Sequence, residues 1–186
     1  MRNILKPLFV FLADIVETII ISVAIFFIVY IFLIQPHRVQ GDSMLPNFIN
    51  GELILTDKIS YRFKEPKRAE VIVFRAPTDP NRDFIKRIIG LPGETLMVEK
   101  GKVYINGEEL KQSFLPNEVY TNPGRFLPEG KEVKLDAGQY VAMGDNRNHS
   151  SDSREWGTIT KSDIIGRAWL IYWPLERFSL IGSIHF

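Results

Sequence analysis

The 186-residue chain contains no cysteine, which excludes disulfides, thiolate catalysis and cysteine-based metal sites. Histidine is scarce, occurring only at positions 37, 149 and 185, and no pair has a chelating spacing such as His-x-x-x-His. Any reaction centre therefore works without a metal, or with one held through oxygen alone; no metal and no cofactor is expected. Charge of one sign is also missing. Lys and Arg total 23 against 22 Asp and Glu, a net charge of +1, so nucleic-acid binding has no electrostatic support. Past the first 35 positions no segment keeps a helical period for three turns, and there are no internal repeats and no low-complexity tail.

What the chain does have is a long apolar run near its start. Ile19 to Ile34 is 16 residues without a charge. Extended back to Ile15 it reaches 20 residues, and a helix of that length spans roughly 30 Å, the hydrocarbon thickness of a bilayer. Glu17 lies close enough to one end for its carboxylate to reach the interface. The absence of a polar face argues against a buried core helix. The exit sequence Gln35-Pro36-His37-Arg38, which lacks a small-x-small site, argues against a cleaved signal peptide. The expectation is an uncleaved single-pass anchor, with residues 1–35 as stub and anchor and residues 36–186 as one domain of about 150 residues, a common domain size. Arg2, Lys6 and the amino terminus precede the span and Arg38 follows it. The positive-inside rule then puts the N-terminus in the cytoplasm and the domain on the outer face.

After Pro36 the pattern changes to short β-rich runs: Glu52 to Leu55, Glu70 to Phe74, Phe84 to Ile89, Tyr140 to Met143 and Trp169 to Trp173. Thr95 to Glu99 and Lys102 to Ile105 read as a hairpin about the turn Lys100-Gly101, and Asn106-Gly107 is a second turn signal. The domain is expected to be mainly β, with residues 112–131, which hold three prolines and two glycines, as an exposed loop insertion. Trp169, Trp173, Phe178, Leu180 and Ile181 suit either lipid contact or the core, and the core is the simpler reading.

Candidate chemistry begins at Gly41-Asp-Ser-Met-Leu-Pro46, a turn-like segment whose Ser43 stands nine residues past the apolar run. A serine hydroxyl is a poor nucleophile until a base and an oxyanion donor stand beside it, so Ser43 alone is equally a turn residue, as is Asp42. Lys86 changes the balance. In an extended strand it shares a face with Phe84 and Ile88, while Arg87 points the other way. Apolar neighbours desolvate the amine and lower its pKa. At the ordinary value near 10.4 fewer than roughly one lysine in a thousand is neutral at pH 7, and a depression of about 4 units would leave most of it neutral. An edge lysine that snorkels to water is the structural alternative. His149, between Asp145 and Asp152, admits a Ser-His-Asp arrangement, but its surroundings are dense in residues that favour exposed turns.

Taken in order, Gly41 to Pro46, Arg68-Ala-Glu-Val-Ile-Val-Phe74, Lys86-Arg-Ile-Ile-Gly-Leu-Pro-Gly-Glu94, and Gly144-Asp-Asn-Arg147 with Ser150-Ser-Asp-Ser-Arg154 and Trp156-Gly157 resemble the successive boxes of the bacterial type I signal peptidases, over nearly the whole chain. The resemblance implies a serine–lysine endopeptidase of the bacterial plasma membrane that removes signal peptides from exported preproteins after small residues. Its partners would be those signal peptides and the lipid bilayer. It implies Ser43 as nucleophile, Lys86 as general base and Ser150 as the hydroxyl that orients the lysine. Asp145, Arg147, Asp152 and Arg154 match residues that brace the site through ion pairs, and Gly41, Met44, Pro46 and Arg87 match supporting positions. Some family members carry a serine where Gly41 stands, and its hydroxyl helps hold the oxyanion. Here the main-chain N–H of Ser43 would remain as donor, joined by backbone or water. Three rivals are a self-cleaving repressor, a tethered signal-peptide binder that does not cut, and a membrane-anchored scaffold or transport component.

Overall fold

The computed structural model describes residues 2–115 and 119–182. Helix α1 (Arg2–Phe32) opens the chain. Its stretch Lys6–Tyr30, 25 residues, is long and apolar enough to cross a membrane, and none of it is buried against protein. A helix that is apolar all round and unpacked suits a lipid environment. It begins earlier than the sequence pattern suggests because Asp14 and Glu17 interrupt the apolar run but not the backbone. The Thr18 hydroxyl donates to the Asp14 carbonyl within the helix at 2.8 Å.

The strands follow in the order β1 (Ile34–Arg38), β2 (Leu53–Asp57), β3 (Val71–Ala76), β4 (Asp79–Gly90), β5 (Thr95–Glu99), β6 (Lys102–Ile105), β7 (Glu108–Glu109), β8 (Val133–Lys134), β9 (Gln139–Met143), β10 (Ile159–Thr160), β11 (Ile164–Trp173) and β12 (Ser179–Leu180). One sheet runs β1-β2-β11-β3-β4-β9-β10, with β12 beside β11, and a smaller sheet runs β7-β6-β5-β8. Pro36 is accommodated because β1 is an edge strand, paired among the described residues with β2 alone. The N–H of Lys58 donates to the Leu33 carbonyl at 3.0 Å, which ties the end of α1 to the sheet. Both expected turns form with positive φ at each central residue, 49° and 78° at Lys100-Gly101 and 52° and 84° at Asn106-Gly107, the twist that a two-residue hairpin requires.

Strand β3 explains its unbroken apolar sequence by being buried on both faces. Val71 and Val73 pack with Val39, Met44, Phe48 and Ile54, whereas Ile72 and Phe74 pack with Ile88, Tyr140 and Ala142. A third cluster, including Leu96, Val98, Leu127 and Leu135, fills the space under the smaller sheet. Two expectations need correction. The described residues of the 112–131 segment are irregular but not exposed throughout, since Phe114, Leu115, Thr121 and Leu127 are buried; its apolar side chains close the third cluster and Thr121 meets a buried arginine. Conversely, Trp173, Phe178 and Leu180 are not core: they are 53 %, 60 % and 72 % exposed. Trp173 ends β11, Phe178 precedes β12 and Leu180 ends it, where no described residue covers them, and of this group Ile181 packs against the core.

Candidate active site

Ser43 sits in the turn between β1 and β2. Gly41 takes φ +81°, a left-handed conformation that glycine adopts without steric cost, and its N–H donates to Asn50 Oδ1 at 3.1 Å. Met44, 1 % exposed, pins the turn to the core. Pro46 follows in the same turn, and Phe48 N–H closes it onto the Met44 carbonyl at 2.9 Å. From across the molecule, Asn146 grips the segment twice. Its N–H donates to the Ser43 carbonyl at 3.0 Å and its Nδ2 to the Asp42 carbonyl at 3.0 Å. The Ser43 N–H itself donates to no acceptor among the described residues, so it is free to meet a developing oxyanion.

Lys86 lies in β4, opposite Ile72 of β3, and is 4 % exposed. Its Nζ donates to Ser43 Oγ at 2.7 Å and to the Ile85 carbonyl at 3.0 Å, and it stands 5.3 Å from the centre of the Phe84 ring. Burial pushes the amine down to about 8, against the pull of the Asp152 and Asp145 carboxylates, which raise it. The depression is smaller than the sequence argument called for because those two anions offset part of the desolvation. About one lysine in ten is then neutral at pH 7, still far above the share for an ordinary lysine.

Arg87 projects from the opposite face of β4, as strand alternation requires. Its Nε and Nη2 meet Asp145 Oδ1 and Oδ2 at 2.8 and 2.6 Å, its Nη1 donates to the Ala69 carbonyl at 2.8 Å, and its guanidinium lies 4.5 Å from the centre of the Phe114 ring. Asn47 Nδ2 adds a bond to Asp145 Oδ2 at 2.8 Å. Asp152 receives Arg154 Nε and Nη2 at 2.8 Å each and the Gly144 N–H at 2.9 Å. Burial alone would raise the Asp152 carboxyl, but Arg154 holds it below the ordinary carboxylate range. Such buried pairs fix geometry more surely than they add stability.

The structure brings Ser43, Lys86, Gly41, Met44, Arg87, Asp145, Asp152 and Arg154 into one connected arrangement. Two expected residues differ. Arg147 makes no ion pair among the described residues; it donates to the Gly144 carbonyl at 3.0 Å, to Thr121 Oγ1 at 2.7 Å and to Gln112. Burial, with Arg154 nearby, lowers it to about 10. Ser150 packs against Gly144 next to the Ser43 carbonyl; its buried Oγ makes no hydrogen bond of ordinary geometry among the described residues but lies close enough to the Asp152 carboxylate to favour its ionised form, and it does not bond Lys86. His149 is exposed, and Ser43 Oγ is bonded to Lys86 instead. Sequence reasoning missed Asn47, Asn146, Phe114 and the Ile85 carbonyl. Asn146 lies inside the Gly144–Arg147 box and was within reach; the other three carry no local signal.

Beside Ser43 and Lys86 opens a cleft of about 530 Å³ whose floor includes Val39, Ile54, Val73 and Ile85. A serine hydroxyl hydrogen-bonded to a buried amine, beside a cleft lined by both apolar and polar side chains, in a β-domain behind one apolar helix, defines a hydrolase of the serine–lysine kind. The family described as signal peptidase, peptidase S26, matches residues 12–173. A signal peptidase I of Leptolyngbya laminosa is 37 % identical over 90 % of this chain and 82 % of its own. A probable signal peptidase I-1 of Synechocystis is 33 % identical over 95 % and 90 %. A solved signal peptidase I structure from Enterococcus faecalis is 30 % identical, covering 56 % of this chain and 97 % of that one with a TM-score of 0.45. The chain belongs to the signal peptidase family, and it is a peptidase.

Proposed function

We propose that this chain is anchored in the bacterial plasma membrane by α1, with its N-terminus cytoplasmic and its β-domain on the outer face, and that it removes signal peptides from exported preproteins through Ser43 and Lys86. The observation that carries this reading is the 2.7 Å bond between a buried amine and the Ser43 hydroxyl. Neutral Lys86 accepts the Ser43 proton as Oγ attacks the scissile carbonyl. The oxyanion is met by the Ser43 N–H. Lys86 then protonates the departing amine, which breaks the C–N bond and leaves an acyl-enzyme. Next it takes a proton from water, whose hydroxide attacks the ester, and it returns that proton to Ser43 Oγ as the acyl C–O bond breaks, which regenerates the serine and the neutral amine. While Lys86 carries its extra proton, the Ser150 Oγ, which does not bond Nζ in the resting site, serves as a further acceptor that keeps Nζ aimed at the reacting atoms.

The substrate has a natural berth. Among the described residues strand β1 has no partner on its outer edge, and β4 pairs with β9 only from Arg87 onward, so an extended peptide can add between them as a strand. Apolar floor residues suit small aliphatic side chains next to the scissile bond. The exposed Trp173, Phe178 and Leu180 suit contact with the lipid surface, where a tethered signal peptide presents its cleavage point.

Purified full-length chain, reconstituted in lipid and given a preprotein with an Ala-x-Ala site, is expected to cut after the second alanine. Ser43→Ala and Lys86→Ala are expected to leave the preprotein intact. Cleavage surviving both substitutions ends the assignment.

A further inference from the structure

Arg147 is a buried charge with no anion of its own. It is 2 % exposed, a guanidinium stays protonated in a protein, and the Asp145 and Asp152 carboxylates are engaged by Arg87 and Arg154. A charge so placed is tolerated only when its N–H groups are hydrogen-bonded. Three neutral acceptors meet it. Nε donates to the Gly144 carbonyl at 3.0 Å, Nη1 to Thr121 Oγ1 at 2.7 Å and Nη2 to Gln112 Oε1. Gly144 belongs to the same short segment as Arg147, whereas Thr121 and Gln112 come from the irregular stretch that follows the smaller sheet.

That stretch reaches the site at further points. Asn47, in the turn that carries Ser43, donates to the Phe114 carbonyl at 2.9 Å. Arg154 donates to the Asn122 carbonyl at 3.0 Å, and its own carbonyl accepts the Phe126 and Leu127 N–H groups at 2.8 and 3.2 Å. On the other side the Thr121 N–H donates to the Gly101 carbonyl at 2.8 Å, which fixes the stretch to the turn between β5 and β6. Residues 112–115 and 119–127 therefore tie the smaller sheet to the site, yet none of them lines the cleft beside Ser43. Their influence on the chemistry has to pass through the residues they hold. For Arg147 the route is short. Its guanidinium fixes the Gly144 carbonyl, and between the two lies Asn146, which grips the Ser43 and Asp42 carbonyls at 3.0 Å each.

Resting on the peptidase reading above, we infer that Thr121 and Gln112 are positioning residues of the reaction: acting through Arg147 and Asn146, they hold the Ser43 hydroxyl and N–H in line with the scissile carbonyl without touching Ser43, Lys86 or the substrate. Removing either acceptor leaves a buried cation short of a partner, and a group left so costs more than the bond returned when made. Arg147 then relaxes toward other acceptors and carries the 144–147 segment with it. A shift of about 1 Å at the reacting atoms is enough to slow the chemistry.

The test uses full-length chain in lipid and one preprotein with an Ala-x-Ala site. Thr121→Val keeps the shape of the side chain but loses the acceptor, and Gln112→Leu does the same at the second position. Each is expected to lower kcat about tenfold while KM stays within about twofold, because the cleft is untouched and the loss falls on the reacting atoms. Thr121→Ser and Gln112→Glu keep an oxygen for Arg147 and should stay within about twofold of the parent in kcat. In an Asn146→Ala background Thr121→Val should lower kcat by less than about twofold more, since both act through one segment. Gln112 is only half-buried, so its leucine variant decides the question if the buried valine variant fails to fold. Three results would each overturn the inference and spare the peptidase reading: valine and leucine variants with the parent's kcat, serine and glutamate variants as slow as those two, or a full further loss of about tenfold in the Asn146→Ala chain. A parent that leaves the preprotein uncut removes both.

Discussion

Gly144 and Ser150 are packed so closely that a Cβ built on Gly144 would overlap the Ser150 side chain and lie 2.5 Å from the Ser43 carbonyl oxygen. Glycine is needed here for space, not for its backbone angles, and the space it leaves is what lets the 144–154 segment close over the nucleophile turn. Gly144→Ala is expected to push Ser43 out of line with Lys86. Overpacking costs about 1–3 kcal/mol of stability, whereas a displacement near 1 Å at the reacting atoms can cost about a hundredfold in rate. Peptidase assay beside thermal unfolding of the same sample checks this: activity should fall far more than stability.

Ser150→Ala should separate those two quantities as well. The buried hydroxyl makes no hydrogen bond of ordinary geometry and only assists the Asp152 carboxylate, so its removal should change stability by no more than about 1 kcal/mol. Its proposed role toward Lys86 should nonetheless be lost, lowering kcat roughly tenfold or more through poorer orientation. Equal activity of variant and parent would show that the hydroxyl only fills space.

Lys86 makes a prediction about stability that is independent of any substrate. Its folded value near 8 lies below the unfolded value of 10.5, so between those limits the unfolded chain binds more protons than the folded one, and stability rises with pH through that window. The cost of the buried amine is fully present below pH 8 and fades as pH approaches 10.5. From the pKa difference it amounts to about 3 kcal/mol. Lys86→Met should accordingly be inactive yet more stable at pH 7, by up to about 3 kcal/mol, with the advantage shrinking above pH 8. Denaturant unfolding of both proteins from pH 7 to pH 10.5 measures it; a variant less stable than the parent at pH 7 would contradict the desolvated amine.

Much of the fold could be read in advance because its signals are local. The 95–105 hairpin and its turns appear where Gly and alternation put them, and the apolar run gave α1. The exposed C-terminal aromatics did not follow, because apolar composition says only that a residue avoids water, and a sheet end uncovered by protein is another place to do so. In the site, Ser43 and Lys86 were legible as residue types in motifs. Their bracing was less so. Asn146 reaches Asp42 across 104 positions, and Arg147 exchanges the expected carboxylate for Thr121 and Gln112, residues of a loop with no periodicity to announce its path. The amine's value also depended on Asp145 and Asp152, whose charges reach it only in the folded chain.

The account stands on neutral Lys86 activating Ser43, and the pH dependence of kcat/KM for a signal-peptide substrate tests it most directly. The free-enzyme profile should rise along a single limb with its midpoint at about 8, the value of the buried amine. A midpoint near 6.5, the ordinary range of histidine, or one above 10, that of a solvated lysine, would contradict it.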